Sequence, residues 1–190
     1  MLCPGFLYSG FVLVGGRSSR MGTDKALLPY RGKALVSYVA GEVRAAAGSA
    51  TLIGDPVRYG DLGYQAIPDA IPNCGPLGGV VTALRSSTSD WNLVVACDMP
   101  AISADFLRCL LAMARMADGR CVVPLGRLGP EPLCAAYHRA SLPVLEQALA
   151  SKLLKMQEVI KLLEPVHWPP PETDCLANIN TPEEWVSERA

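Results

Sequence analysis

Residues 13–28 read LVGGRSSRMGTDKALL. The preceding run, Phe11 to Val14, has the composition of a fully buried strand, and it opens directly into Gly15 and Gly16, with Gly22 further along. Glycines at these places permit positive φ and a close approach of backbone to ligand, so amides turned inward can bind an anion. Arg17, Arg20 and Lys25 add fixed positive charge, arginine suiting bidentate phosphate contacts and lysine acting as a compact point charge. The loop is therefore read as a phosphate holder at the end of a buried strand. Two standard forms are excluded: the chain has no G-x-x-x-x-G-K-[ST], and its glycines do not fit G-x-G-x-x-G.

Outward from that loop, short apolar runs alternate with longer helical patterns, the signature of parallel strands joined by crossover helices. Leu35, Val36, Val39 and Val43 lie at helical spacing, and Gly48 stands where that helix should stop. Strands are expected at Thr51 to Ile53, Tyr64 to Ile67, Asn92 to Ala96, Cys121 to Pro124 and Leu133 to Tyr137. Helices are expected at Leu77 to Leu84, at Phe106 to Met116 behind a Ser103 cap, and near Leu142 to Ala150 and Met156 to Leu163. A final helix should begin at Thr181, where Thr181, Pro182 and Glu184 supply a cap, a first-turn proline and a capping-box glutamate. Repeats and long polar linkers are absent, so one domain over residues 1–190 is expected.

Composition narrows the class of partner. A chain of 190 residues, half of them hydrophobic, can bury roughly 70% of its unfolded surface in one core. A formal net charge of −1 gives no global attraction to nucleic acid or to an anionic membrane, so any phosphate affinity is local. Seven cysteines without C-x-x-C spacing argue against a disulfide framework or a zinc knuckle. The N-terminal stretch MLCPGFLYSGFVLVGG is apolar but has no basic region before it, and it is not read as a signal peptide. No apolar run is long enough for a membrane helix, and a soluble cytoplasmic protein with reduced thiols is expected.

Open parallel sheets bind ligands beyond the carboxyl ends of their strands, which directs attention to the residues after each apolar run. Asp98 follows the strand NLVVA at once, where a carboxylate could hold Mg²⁺ between protein and phosphates or could serve an Asp-Met-Pro turn. Asp69 precedes a rigid turn and the segment Gly75-Pro76-Leu77-Gly78-Gly79, and it could bind ligand or accept a local backbone hydrogen bond. Asn178 and Asn180 come just before the last expected helix; they suit an anionic ligand at its positive end or a loop backbone equally. His138, with no partner pattern for catalysis, is read as structural, and Cys134 as a small buried hydrophobe.

Five of these stretches together resemble one family. LVGGRSSRMGTDKALL is similar to the signature loop of the nucleotidyltransferases related to molybdenum cofactor guanylyltransferase, whose usual form is L-A-G-G-x-S-x-R-M-G-x-D-K. The chain departs from it at Val14, where alanine is usual, adding bulk beside base and ribose. Gly75 to Gly79 resembles the family's G-P-L-[AG]-G, Cys97-Asp98-Met99-Pro100 its CDMP or CDTP motif, Pro132 to His138 its P-L-x-A-x-[YW]-H, and Asn178 to Glu183 its N-I-N-T-P-E. Between Ser151 and Pro171 the family usually carries a more basic segment, whereas this chain offers Lys152, Lys155 and Lys161.

The resemblance implies an α/β fold, a Rossmann-like three-layer sandwich with a mostly parallel central sheet, of the nucleotide-diphospho-sugar transferase type. It also implies transfer of GMP from GTP to the terminal phosphate of molybdenum-bound molybdopterin, with release of pyrophosphate. Asp98 would hold Mg²⁺, with Arg20 and Lys25 completing the catalytic set. The nucleotide would meet Leu13, Val14, Gly15 and Gly16 on the first loop, Asp69 after the third strand, and Pro76, Leu77 and Gly78 at the helix start. Asn178 and Asn180 would face the acceptor, and other molybdenum cofactor biosynthesis proteins would be transient partners. Gly15-Gly16 with Pro76-Leu77 favours GTP over the CTP of related cytidylyltransferases. A sugar-phosphate nucleotidyltransferase and a non-catalytic nucleotide or cofactor carrier are the alternatives.

Overall fold

A computed structural model describes residues 8–15 and 24–178. The expectations for Gly16, Arg17, Arg20, Gly22, Asn180 and the helix from Thr181 lie outside those residues. The chain runs β1 (Tyr8–Leu13), a small hairpin of β2 (Pro29–Tyr30) and β3 (Lys33–Ala34), then α1 (Leu35–Ala47). It continues through β4 (Thr51–Ile53), α2 (Pro56–Tyr59), β5 (Gln65–Ile67), α3 (Gly75–Ser86), β6 (Trp91–Ala96) and α4 (Ala104–Met116). Last come β7 (Cys121–Gly126), β8 (Gly129–Pro130), β9 (Cys134–His138), α5 (Leu142–Ala150), α6 (Met156–Val159) and β10 (Val166–Trp168).

One sheet of order β10-β7-β9-β6-β1-β4-β5, with β8 paired to β7, forms the middle layer. The pairings β6-β1, β1-β4, β4-β5 and β7-β10 are parallel, whereas β9 runs antiparallel to both β6 and β7. The sheet is thus mostly parallel, with β9 reversed between β6 and β7 and the short β8 antiparallel to β7. Every residue of β6 is buried, as expected for a strand covered on both faces. Alternation assigns the faces: Leu93 and Val95 pack with α1 and α4, while Val94 packs with α3 and α5. Fully burying a side chain of this size contributes roughly 1.5–3 kcal/mol.

The helices form for legible reasons. In α1 the apolar residues recur at Leu35, Val36, Val39, Ala40 and Val43, and all are buried. It stops at Gly48, as its sequence predicts. Ser103 caps α4 by accepting from the Phe106 amide over 3.3 Å. The stretch Met156 to Leu163 differs from expectation: one α-helical turn, α6, passes into a 3-10 segment, Ile160–Leu163, that closes at Glu164 with φ 50°. No helix among the described residues is long and apolar enough to cross a membrane.

Candidate active site

The four adjacent parallel strands β6, β1, β4 and β5 end level with one another. Leu13 is in register with Ala96 on one side and with Ile53 on the other, and Ile53 with Ile67. The ladder continues one residue past the strands: Cys97 N donates to Leu13 O over 3.2 Å, Val14 N to Ile53 O over 2.9 Å, and Gly54 N to Ile67 O over 2.9 Å. Beyond this step lies an open cleft of about 930 Å³. It sits where the strand order reverses around β1, the place where open α/β sheets bind ligands.

Leu13, Val14 and Gly15 form the floor below the first loop. Gly15 has φ 124°, a backbone conformation that a side-chain-bearing residue rarely adopts. Gly54, Asp55 and Pro56 make one wall, Asp69 with Pro76 the rim beside α3, and Cys97 with Asp98 the opposite wall. Lys25 opens the 3-10 turn Lys25–Leu27 and is close enough for its charge to act on the Asp98 carboxyl. The cleft therefore gathers Leu13, Val14, Gly15, Asp69, Pro76 and Asp98. Leu77 and Gly78 lie behind that rim: Leu77 is fully buried in the core. A Cβ on Gly78 would come within 2.5 Å of Ile71 O and 3.2 Å of Asp69 Oδ2, so the glycine lets the Asp69 turn rest on the helix. Asn178 is exposed and does not line the cleft.

Asp69 is held tightly. Its Oδ1 accepts from Ile71 N at 2.9 Å and from the Thr82 hydroxyl at 3.0 Å. The local turn reading of Asp69 is therefore satisfied, and the residue also lines the cleft.

Asp98 is different, because its Oδ1 is buried and has no hydrogen-bond partner among the described residues. Burial raises its pKa, while a backbone hydrogen bond and the Lys25 charge oppose the rise. A buried carboxylate oxygen without a donor costs free energy unless something positive meets it. Among the described residues no group of three His, Cys, Asp or Glu side chains could hold a metal ion. The donor set thus fits a cation that takes one protein carboxylate and draws its remaining ligands from phosphate and water, as a hard divalent ion does. Burial, with the charges of Asp98 and Asp24, pushes the Cys97 thiol up to about 12, so it is a neutral wall residue and not a nucleophile.

Two side chains read as structural fit that reading. His138 Nδ1 accepts from Ala140 N at 3.2 Å, and its ring meets Trp91 edge-on with centroids 5.1 Å apart. Cys134 is fully buried. Sequence reasoning missed Gly54, Asp55 and Glu131. The first two follow the apolar run Thr51–Ile53, so the rule of looking past each strand finds them when applied to β4. The carboxyl of Glu131 has its pKa raised by burial and then by the charge of Asp98.

The profile of the MobA-like NTP transferase domain matches residues 10–166, which takes in the cleft-facing end of every strand of the cleft. The chain belongs to the MobA-like NTP transferase domain family. Among relatives, it is similar to the molybdenum cofactor guanylyltransferase of Xanthomonas euvesicatoria pv. vesicatoria, 33% identical over 183 residues and covering 94% of this chain and 92% of that one. Among solved structures, the molybdopterin-guanine dinucleotide biosynthesis protein A of Archaeoglobus fulgidus superposes with a TM-score of 0.81 at 26% identity, covering 95% of this chain and 96% of that one. The 2-C-methyl-D-erythritol 4-phosphate cytidylyltransferase of Thermus thermophilus shares the fold alone, with a TM-score of 0.68 at 14% identity over 94% and 95% of the two chains. The mostly parallel sheet is the fold that the resemblance implies, and Leu13, Val14, Gly15 and Asp98 lie at its strand ends in the cleft.

Proposed function

We propose that this MobA-like chain is a molybdenum cofactor guanylyltransferase, a single domain that moves GMP from GTP to the terminal phosphate of molybdenum-bound molybdopterin. One observation carries the reading: Asp98, whose buried Oδ1 has no hydrogen-bond partner among the described residues, lines a strand-end cleft whose floor is Leu13 to Gly15. The names of the similar proteins support the guanine nucleotide and the pterin acceptor.

Transfer is a direct displacement. An oxygen of the acceptor phosphate forms a bond to the α-phosphorus of GTP, the bond from that phosphorus to the bridging oxygen breaks, and pyrophosphate leaves with the electron pair. No covalent enzyme intermediate is required, in keeping with a Cys97 thiol held neutral. Mg²⁺ on Asp98 would supply charge neutralisation to the phosphates. Lys25, with Arg20 and the amides of Gly15 and Gly16, would bind the pyrophosphate end and hold its growing charge. Val14, Pro76 and Asp69 line the cleft; Val14 and Pro76, with Leu77 and Gly78 behind them, would shape the base and ribose side, where Asp69 would accept from the nucleoside. Asn178 and Asn180 would meet the acceptor. Six described cysteines are free thiols, which suits a cytoplasmic enzyme.

Pyrophosphate release decides the matter. With molybdenum-loaded pterin and Mg²⁺, release is expected from GTP and not from CTP, ATP or UTP, and the Asp98→Ala chain should show none. Preference for CTP would overturn the guanine assignment, and nucleotide binding without release would favour a carrier.

A further inference from the structure

Asp24 joins two parts of the cleft that are far apart in sequence. Its Oδ1 accepts from Ala26 N at 3.1 Å, which caps the 3-10 turn that begins with Lys25. Its Oδ2 accepts from the Tyr59 hydroxyl at 2.7 Å and from Arg58 Nη1 at 3.2 Å. Both donors belong to α2, the turn hung from β4 whose first residues wall the cleft opposite Asp98. Tyr59 cannot easily be elsewhere. Its ring is buried against Gly54, where a Cβ would lie 3.0 Å from the aromatic edge and 2.6 Å from Val14 O. The backbone of the wall, the tyrosine ring and the carboxylate before Lys25 are therefore one packed column.

We infer that Tyr59 and Asp24 are positioning residues for Lys25, fixing the lysine at the phosphate end of the cleft in register with the β4 wall. Burial, and then Asp24, pushes the Tyr59 hydroxyl well above its usual range, so it stays a donor wherever the protein is folded near neutrality. Arg58 is more than half exposed and adds less, since water screens its contact. Chemically the column binds nothing itself. It lowers the number of places the Lys25 ammonium can occupy, which matters for a flexible side chain asked to meet a phosphate. The inference rests on the proposed phosphate-binding role of Lys25 and is indifferent to which base the cleft accepts.

The test measures inorganic triphosphate with Mg²⁺, titrated calorimetrically into the parent chain, Tyr59→Phe, Lys25→Ala and the double variant, alongside their melting temperatures. Tyr59→Phe is expected to weaken triphosphate about 10-fold, and the double variant to bind as Lys25→Ala does, because coupled residues lose their effect together. Melting should fall by the same amount when Tyr59 is changed in either background. An equal loss of affinity in both backgrounds, no loss at all, or a parent that binds triphosphate no better than Lys25→Ala would each overturn the inference. A CTP preference in the pyrophosphate assay would sink the guanylyl reading and leave this one standing.

Discussion

The Thr82 hydroxyl donates to Asp69 Oδ1 across 3.0 Å and accepts from Ala70 N across 3.1 Å, so one side chain of α3 fastens the turn after β5 at two points. Thr82 is buried. Thr82→Val keeps the shape and deletes both bonds, leaving an amide and a carboxylate oxygen short of a partner. A loss of about 1–3 kcal/mol is expected, with a weaker affinity for GTP as Asp69 loosens. Thermal denaturation and a nucleotide titration check the two effects, and an unchanged melting temperature would show that the hydroxyl does not hold the turn.

Gly78→Ala probes the same joint from the other side. The added methyl would meet Ile71 O at 2.5 Å, a backbone atom that cannot swing away as a side-chain end can. Overpacking of this kind costs about 1–3 kcal/mol. Urea unfolding should show a lower midpoint with an unchanged slope, and a midpoint equal to the parent's would mean that the turn can retreat from the helix without cost.

Asp98→Asn should separate stability from turnover. Burial, the largest influence on this carboxyl, raises its folded pKa, so the protonated form is favoured by the fold. Its stabilising contribution is then present below the unfolded pKa and is lost as pH rises through the folded one. At neutral pH the ligand-free parent carries an unfavourable buried charge that the amide lacks. The variant is expected to melt higher by about 2–4 °C, on the order of 1 kcal/mol for a chain this long, while releasing no pyrophosphate. Added Mg²⁺ should raise the melting temperature of the parent and not of the variant. A variant that melts lower without ligand would contradict the sign.

The same carboxyl sets the acid side of the activity profile. It must be ionised to hold a cation, so kcat/KM for pyrophosphate release should fall on the acid side, at a pH raised by the burial of this carboxyl. Saturating metal should move that limb to lower pH, because the cation favours the charged form. Glu131→Gln should move it the same way, since repulsion between two carboxylates is mutual. A limb indifferent to both changes would mean that another group controls it.

Much of this arrangement is legible without coordinates. The strand ending in Leu13, the glycines after it and the Asp98 corner sit in contiguous segments, where local chemistry and position agree. What cannot be read there depends on distant packing. Tyr59 and Asp24 are 35 residues apart, and their contact exists only because α2 docks beside the first loop. The reversal of β9 leaves no mark either, because Cys134 to His138 is as apolar as a parallel strand would be. Val166–Trp168 is too brief, and too close to the prolines that follow, to stand out as a strand, and it becomes one only through β7.

The place of β9 has a consequence for how the chain can be made. Because it lies between β6 and β7, the hairpin of β7 and β8 has no link to the rest of the sheet until residues 134–138 have emerged from the ribosome. A nascent chain stopped just short of Cys134 can hold β5, β4, β1 and β6 together, yet β7 must wait beside an uncovered β6 edge, which is an invitation to pair with another chain. Synthesis of this protein therefore passes through an interval of exposure that ends when one five-residue strand arrives.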